Sequence, residues 1–105
     1  MKRCVLRPLV RDDRRAEVRY YRQEAAAKVA AKLIDALKKA LGEIERHPAI
    51  GSPTLGQELG IPGLRAWRIA SFPLSLWYFE RETHVDVVRL VGHRQDALAV
   101  DIGGD

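Results

Sequence analysis

The sequence predicts an α+β fold: a three-strand antiparallel meander, two helices packed on one of its faces, and a short strand ahead of the helices. Three observations lead there. Residues 64–91 hold three β-rich runs separated by short breaks. Residues 25–46 repeat apolar side chains at three- and four-residue steps, the period of a helix with one buried face. Residues 4–6 are a brief apolar run between basic residues, followed by a charged stretch with a thin helical stripe.

In chain order, Cys4-Val5-Leu6 reads as a short strand, and Pro8 ends it or starts the next element. From Arg11 to Arg22 only Ala16, Val18, Tyr20 and Tyr21 are uncharged, while Val10, Val18, Tyr21 and Ala25 supply a narrow apolar stripe. Asp12 and Asp13 suit a helix N-terminus, where free amides and the helix dipole favour acids. The arginines of this stretch read as a solvated face. The second helix, residues 25–46, buries Val29, Leu33, Leu37, Leu41 and Ile44, and Ala26, Ala30, Ala36 and Ala40 beside them permit a close neighbour. Asp35 and Lys39 are spaced for a helical ion pair. His47 and Pro48 stop the helix, and the short break at residues 23–27 makes the two helices an antiparallel hairpin.

Residues 48–63 contain Pro48, Gly51, Pro53, Gly56, Gly60, Pro62 and Gly63, a turn-rich crossover whose Leu55, Leu59 and Ile61 are expected to tuck under the hairpin. In the first meander strand Arg65, Trp67 and Ile69 share one face, and Ala66, Arg68 and Ala70 the other. Next, Leu74, Leu76 and Tyr78 oppose Ser75, Trp77 and Phe79; in the last strand Val88 and Leu90 oppose Val87, Arg89 and Val91. The middle strand is thus apolar on both faces. Two helices cover one face of a sheet, so a partner is the expected cover for the other. The tail, residues 101–105, reads as loose.

The 105 residues suit a single domain, 1–105, with a core over about 4–98. No apolar run approaches ~18 residues, so no membrane span is expected, and the N-terminus, charged again too early for a secretory h-region, is not expected to be a leader. Cytoplasm is the default compartment. Cys4 is alone and reads as a buried, inert thiol. A net charge of +4 and a pI near 9.6 permit binding to nucleic acid or an acidic protein without requiring it. No metal or cofactor is expected: His47, His84 and His93 lie on separate elements, and no glycine-rich phosphate loop occurs. A Ser-His-Asp set drawn from Ser71 or Ser75, His93 and Asp96 lacks a nucleophile elbow. Metal-free RNA cleavage would find cations in Arg65, Arg68, Arg89 and Arg94 and a proton carrier in His93, but no second acid or base beside them. Tyr78, mid-strand, reads as core.

The succession Arg46-His47-Pro48-Ala49-Ile50-Gly51, Gly63-Leu64-Arg65, Phe72-Pro73 and Val91-Gly92-His93-Arg94-Gln95-Asp96 resembles the RelE/ParE toxin family of type II toxin–antitoxin systems, and within it the ParE-like branch. The resemblance spans about residues 4–98. It implies one mostly antiparallel sheet containing the N-terminal strand, a two-helix hairpin and the C-terminal meander. It also implies a cognate ParD-like antitoxin that wraps the toxin in a hetero-oligomer, and DNA gyrase as the target of a growth-arresting activity. RelE relatives are instead ribosome-dependent mRNA endoribonucleases, the alternative reading. Their pattern puts an arginine at Arg94 and a lysine at Arg68, but their strand-three arginine falls on Ser75 and their C-terminal tyrosine on or near Val100. The resemblance therefore implies a toxin that binds and is not an enzyme. Arg14 and Glu17 depart from the apolar residues usual in the family's first helix, which suggests adjusted packing or contact with antitoxin. Arg65, Arg68, Arg89, His93, Arg94 and Asp96 are the expected polar recognition rim, with Trp67, Phe72, Leu74 and Trp77 giving apolar area to the core or to the antitoxin. Alternatively, Arg94 and Asp96 pair with each other and both tryptophans are wholly core.

Overall fold

A computed structural model describes residues 1–103 of the chain. Strand β1 (Cys4–Leu6) leads into α1 (Pro8–Glu24) and α2 (Ala27–Arg46). A 3₁₀ turn (Pro48–Ile50) and a short helix α3 (Thr54–Leu59) precede β2 (Leu64–Arg68), β3 (Leu74–Glu80) and β4 (Val85–Gly92), and a last 3₁₀ turn spans Ala97–Ala99. The four strands form one sheet in the order β1-β4-β3-β2. β1 runs parallel to β4, and the other two pairs are antiparallel. The fold is α+β with a mostly antiparallel sheet, as the residue patterns indicated.

Pro8 starts α1 rather than ending β1. At the first helical position its fixed φ suits the helix, and the N–H it lacks would have had no partner. The acids Asp12 and Asp13 consequently sit past the first turn, and Asp13 serves the sheet instead. Its carboxylate accepts from Arg89 Nε and Nη2 at 2.8 and 2.9 Å and from the Leu90 amide at 3.0 Å.

The helices cover one face of the sheet. Leu33, Leu37 and Ile44 of α2, with Val10 of α1, pack on Ile69, Leu76, Tyr78, Val87 and Leu90. In α1 only Val10 is fully buried, so the thin stripe holds that helix by one end and by the half-buried Val18 and Tyr21.

The other face is not left for a partner. Leu64, Trp77, Phe79, Val88 and Val91 form a second buried cluster, and the chain itself covers it with Leu55, Leu59 and Ile61 from the crossover and Ala97, Val100 and Ile102 from the C-terminal segment. Three expectations are corrected here, the first being a partner as the cover of this face. The crossover anchors cross to the face opposite the hairpin, and the tail is held. Close approach of α3 depends on Gly56, where a Cβ would lie 2.5 Å from the Leu64 carbonyl oxygen. The tail is pinned by two guanidiniums: Arg7 Nη1 donates to the Ile102 carbonyl at 2.8 Å, and Arg89 Nη1 to that of Asp101 at 2.6 Å. Gly104 and Asp105, part of the tail expected to be loose, lie outside the described residues.

The faces of β4 are also corrected. The register with β3 slips between Trp77 and Tyr78, so that Trp77 faces Arg89 and Tyr78 faces Val87. Val88 is the extra residue of a β-bulge, and simple alternation fails there. Val87 joins Leu90 under the helices, while Val88 joins Val91 in the second cluster.

Candidate functional site

Of the residues expected to form a rim, Arg68, His93 and Arg94 come to the surface at one end of the sheet. Arg68 is the last residue of β2, and His93 and Arg94 follow directly on β4. All three are exposed. The His93 ring is held between two neighbours, with Nε2 2.8 Å from Ser75 Oγ and Nδ1 3.3 Å from Arg68 Nη1. A guanidinium only donates, so Nδ1 must accept. The ring proton then sits on Nε2 and is donated to Ser75 Oγ, which assigns the tautomer from the hydrogen-bond network. The Ser-His-Asp set is not assembled: Ser75 does meet His93, but a cation occupies the place of the carboxylate. Asp96 instead caps the last 3₁₀ turn, accepting from the Leu98 amide at 3.1 Å. It makes no ion pair with Arg94 among the described residues.

Beside the triplet a cleft of about 460 Å³ opens between the β4 end and α1, with Glu17, Tyr20 and Tyr21 on one wall and His93, Arg94 and Gln95 on the other. Gln95 turns its side chain back to accept from the Gly92 amide at 2.8 Å, which fixes the loop that presents His93 and Arg94. Tyr21 stacks edge-on against both Tyr20 and Phe72, with ring centroids 5.2 and 5.1 Å apart. Burial, then the neighbouring Glu17 and Tyr20, push the Tyr21 phenol above its usual range, while Arg94 pulls it down. Burial and the nearby Asp13 push the Glu17 carboxyl up. The aromatic wall was not singled out from the sequence as part of the site, although two adjacent tyrosines in an otherwise charged helix are a visible signal.

The remaining expected residues lie elsewhere. Arg65 Nη1 donates to the Gly51 carbonyl at 2.7 Å and so holds the crossover against β2. Arg89 is committed to Asp13 and to the tail. The Asp13 bonds, chiefly, hold its guanidinium more firmly protonated than usual. Phe72 and Leu74 are buried under the helices, and Trp77 is buried in the second cluster. Trp67 packs half-buried at the edge of the helix-side core, its Nε1 donating to Glu43 at 3.4 Å. Their apolar area therefore goes to the core of this chain. What the geometry offers a partner is a cationic end, Arg68 and Arg94 around His93, next to an aromatic cleft. Among the described residues no cluster of His, Cys, Asp or Glu has the makings of a metal site.

Compared with known proteins, residues 5–97 match the family described as "ParE toxin of type II toxin-antitoxin system, parDE". No curated protein sequence matches the chain. Among solved structures, one from P. aeruginosa titled "Chromosomal ParDE TA system" is similar with a TM-score of 0.75 at 15% identity, covering 88% of this chain and 96% of that one. At that identity the likeness concerns the fold.

Proposed function

The chain belongs to the ParE toxin family of type II toxin–antitoxin systems, and on that premise we propose that it arrests growth by binding DNA gyrase, performs no reaction of its own, and is neutralised in a complex with a ParD-like antitoxin. The observation that carries the non-enzymatic part is the state of His93. Its Nδ1 lone pair is directed at Arg68 and its Nε2 proton at Ser75, so a ribose hydroxyl arriving there meets no free base. Ser75 stands where the ribonuclease pattern has a cation, that pattern's tyrosine falls on or near Val100, and Val100 packs against the second apolar cluster. Tyr78 offers no substitute acid. It is wholly buried, and its hydroxyl already donates to the Pro48 carbonyl at 2.7 Å. The cationic triplet and the adjoining cleft are then a recognition surface for the target.

The test is induction of the protein in growing cells, following plasmid supercoiling, gyrase–DNA cleavage complexes and transcript integrity. Gyrase-linked DNA breaks with intact transcripts are expected. Cuts at the ribosomal A site without DNA damage would overturn the reading in favour of a nuclease. Co-expression with the antitoxin should restore growth, and the complex should bury at least ~1,000 Å².

A further inference from the structure

His93 is anchored firmly, yet one of its ring nitrogens has a poor partner. The backbone amide donates to the Pro73 carbonyl at 2.9 Å, and Nε2 meets Ser75 Oγ at 2.8 Å, so loop and ring are both tied to β3 and its entry. Nδ1 is left to accept from Arg68 Nη1 at 3.3 Å, beyond the range of about 2.7–3.2 Å typical of a good N–H donor. A second ring proton in that arrangement would point at a cation. Among the described residues this is the one side-chain hydrogen bond of Arg68, Arg94 has none, and neither guanidinium has an acidic partner. The other titratable groups around the ring, Glu17, Tyr20 and Tyr21, line the cleft from α1. The Glu17 carboxylate likewise makes no ion pair among the described residues.

We infer that this end of the sheet is a receptor for a single carboxylate of a partner protein, presented beside an apolar or aromatic side chain, and that His93 takes up one proton as the carboxylate binds; this rests on the same end being the surface that meets the target. A carboxylate is a better acceptor for Arg68 than a neutral ring nitrogen, because charge-assisted bonds are shorter and about twice as strong. It draws the guanidinium off Nδ1, and Arg94, next in the chain to His93, offers a second fork. Nδ1, vacated and now beside an anion, takes a proton from solvent and donates it to the second carboxylate oxygen. Ser75 Oγ accepts from Nε2 before and after, so the ring keeps its place while its charge changes. The cleft of about 460 Å³ selects the neighbour: Tyr21, Pro73 and Leu74 form walls suited to one apolar side chain. Glu17 selects the charge. It repels a second negative group, which disfavours a nucleic acid strand carrying a phosphate at every step.

The probe is the capped dipeptide acetyl-Glu-Phe-amide, titrated onto the full chain and followed by NMR of the histidine ring protons from pH ~5.5 to ~8.5. Acetyl-Gln-Phe-amide, inorganic phosphate and a short single-stranded DNA are the comparison ligands. Saturation with the glutamate peptide should move the His93 titration upward by about one pH unit. By reciprocity the peptide should bind about tenfold more weakly at the alkaline end. His47, at the end of α2, and His84, beside Thr83, should titrate unchanged. His93→Gln keeps an amide that can reach Ser75 but cannot gain a charge, so its peptide affinity should be flat with pH. Arg68→Gln should weaken the peptide at every pH. Circular dichroism identifies any variant that fails to fold, and the ring titration of the unaltered chain needs no variant. No binding at millimolar peptide, a His93 titration that ignores the peptide, equal binding of the glutamine peptide, or tighter binding of phosphate or DNA would overturn the proposal. A chain that binds the peptide with proton uptake but leaves gyrase untouched in cells keeps the receptor and loses the gyrase reading. Gyrase-linked DNA breaks from a chain whose His93 ignores the peptide do the reverse.

Discussion

Replacing Tyr78 by phenylalanine isolates one hydroxyl at the centre of the fold. The side chain is wholly buried, its oxygen accepts from the Gly51 amide at 2.8 Å and donates to the Pro48 carbonyl at 2.7 Å. Burial raises the phenol above its usual range, so it remains a neutral donor at physiological pH. The contact is possible because residue 51 is glycine, since a Cβ there would fall 2.6 Å from the hydroxyl oxygen. In Tyr78→Phe both bonds vanish. Pro48 is partly exposed and its carbonyl can turn to water, but Gly51 is buried and its N–H is left facing a ring edge. An orphaned buried donor costs about 1–3 kcal/mol, and that range is the expected loss. In a domain of this size each kcal/mol lowers Tm by about 4–8 °C. Urea unfolding followed by circular dichroism should show an earlier midpoint with an unchanged slope. A loss below about 0.5 kcal/mol would refute the reasoning, because a typical net hydrogen bond alone exceeds it. Growth arrest should persist in Tyr78→Phe. Abolished toxicity with unaltered stability would instead make this phenol a proton donor to a substrate.

Four other outcomes are expected. Arg89→Ala should cost roughly 2–3 kcal/mol in urea unfolding, because Asp13 loses two charge-assisted bonds in a mostly buried setting; Arg68→Glu and Arg94→Glu should leave stability within about 0.5 kcal/mol and abolish growth arrest. The hydrogen bonds from Arg7 first, and then Arg81, hold the Asp86 carboxyl below the usual carboxylate range, against the pull of burial. A depressed carboxyl stabilises the fold above its unfolded pKa and loses that contribution as pH falls through the folded one, so Asp86→Asn should be less stable than the parent at pH ~7, with the gap closing below pH ~4. Burial, with Glu45 beside it, pushes the Cys4 thiol up to about 12; at pH ~8 its thiolate fraction is about 10⁻⁴ against roughly a quarter for a free cysteine, so maleimide should label it rapidly only in denaturant.

What the sequence made legible follows the range over which a pattern acts. α2 could be read because Leu33, Leu37 and Ile44 repeat within one helix, and β3 because its two faces alternate without interruption. α3 could not, because Thr54–Leu59 lies between Pro53 and Gly60 and carries too few apolar positions to show a period. The bulge at Val88 was hidden because two adjacent valines fit either face until the partner strand chooses. The cover of the second face was missed for a related reason: Leu55, Leu59, Ile61, Val100 and Ile102 come from two distant segments, and neither has a recognisable stripe. Arg89 was assigned to the rim because its partner Asp13 lies 76 residues away, beyond any local reading. The contact of Arg68 with His93 and the His93–Ser75 bond arise from strand register, although each residue was in view beforehand.

The parallel pairing of β1 with β4 has a consequence for how the protein is made. Residues 4–6 leave the ribosome early, yet their partners are residues 85–87, and the Arg7 amide waits for the Val87 carbonyl at 3.0 Å. A nascent chain interrupted before β4 can form its helical hairpin but has no strand on which to dock β1, and it also lacks His93 and Arg94. Ordering the first strand and acquiring the cationic end both wait on the same late stretch of chain, so an incomplete translation product is unfinished as a fold and without the surface through which we read the toxin as acting.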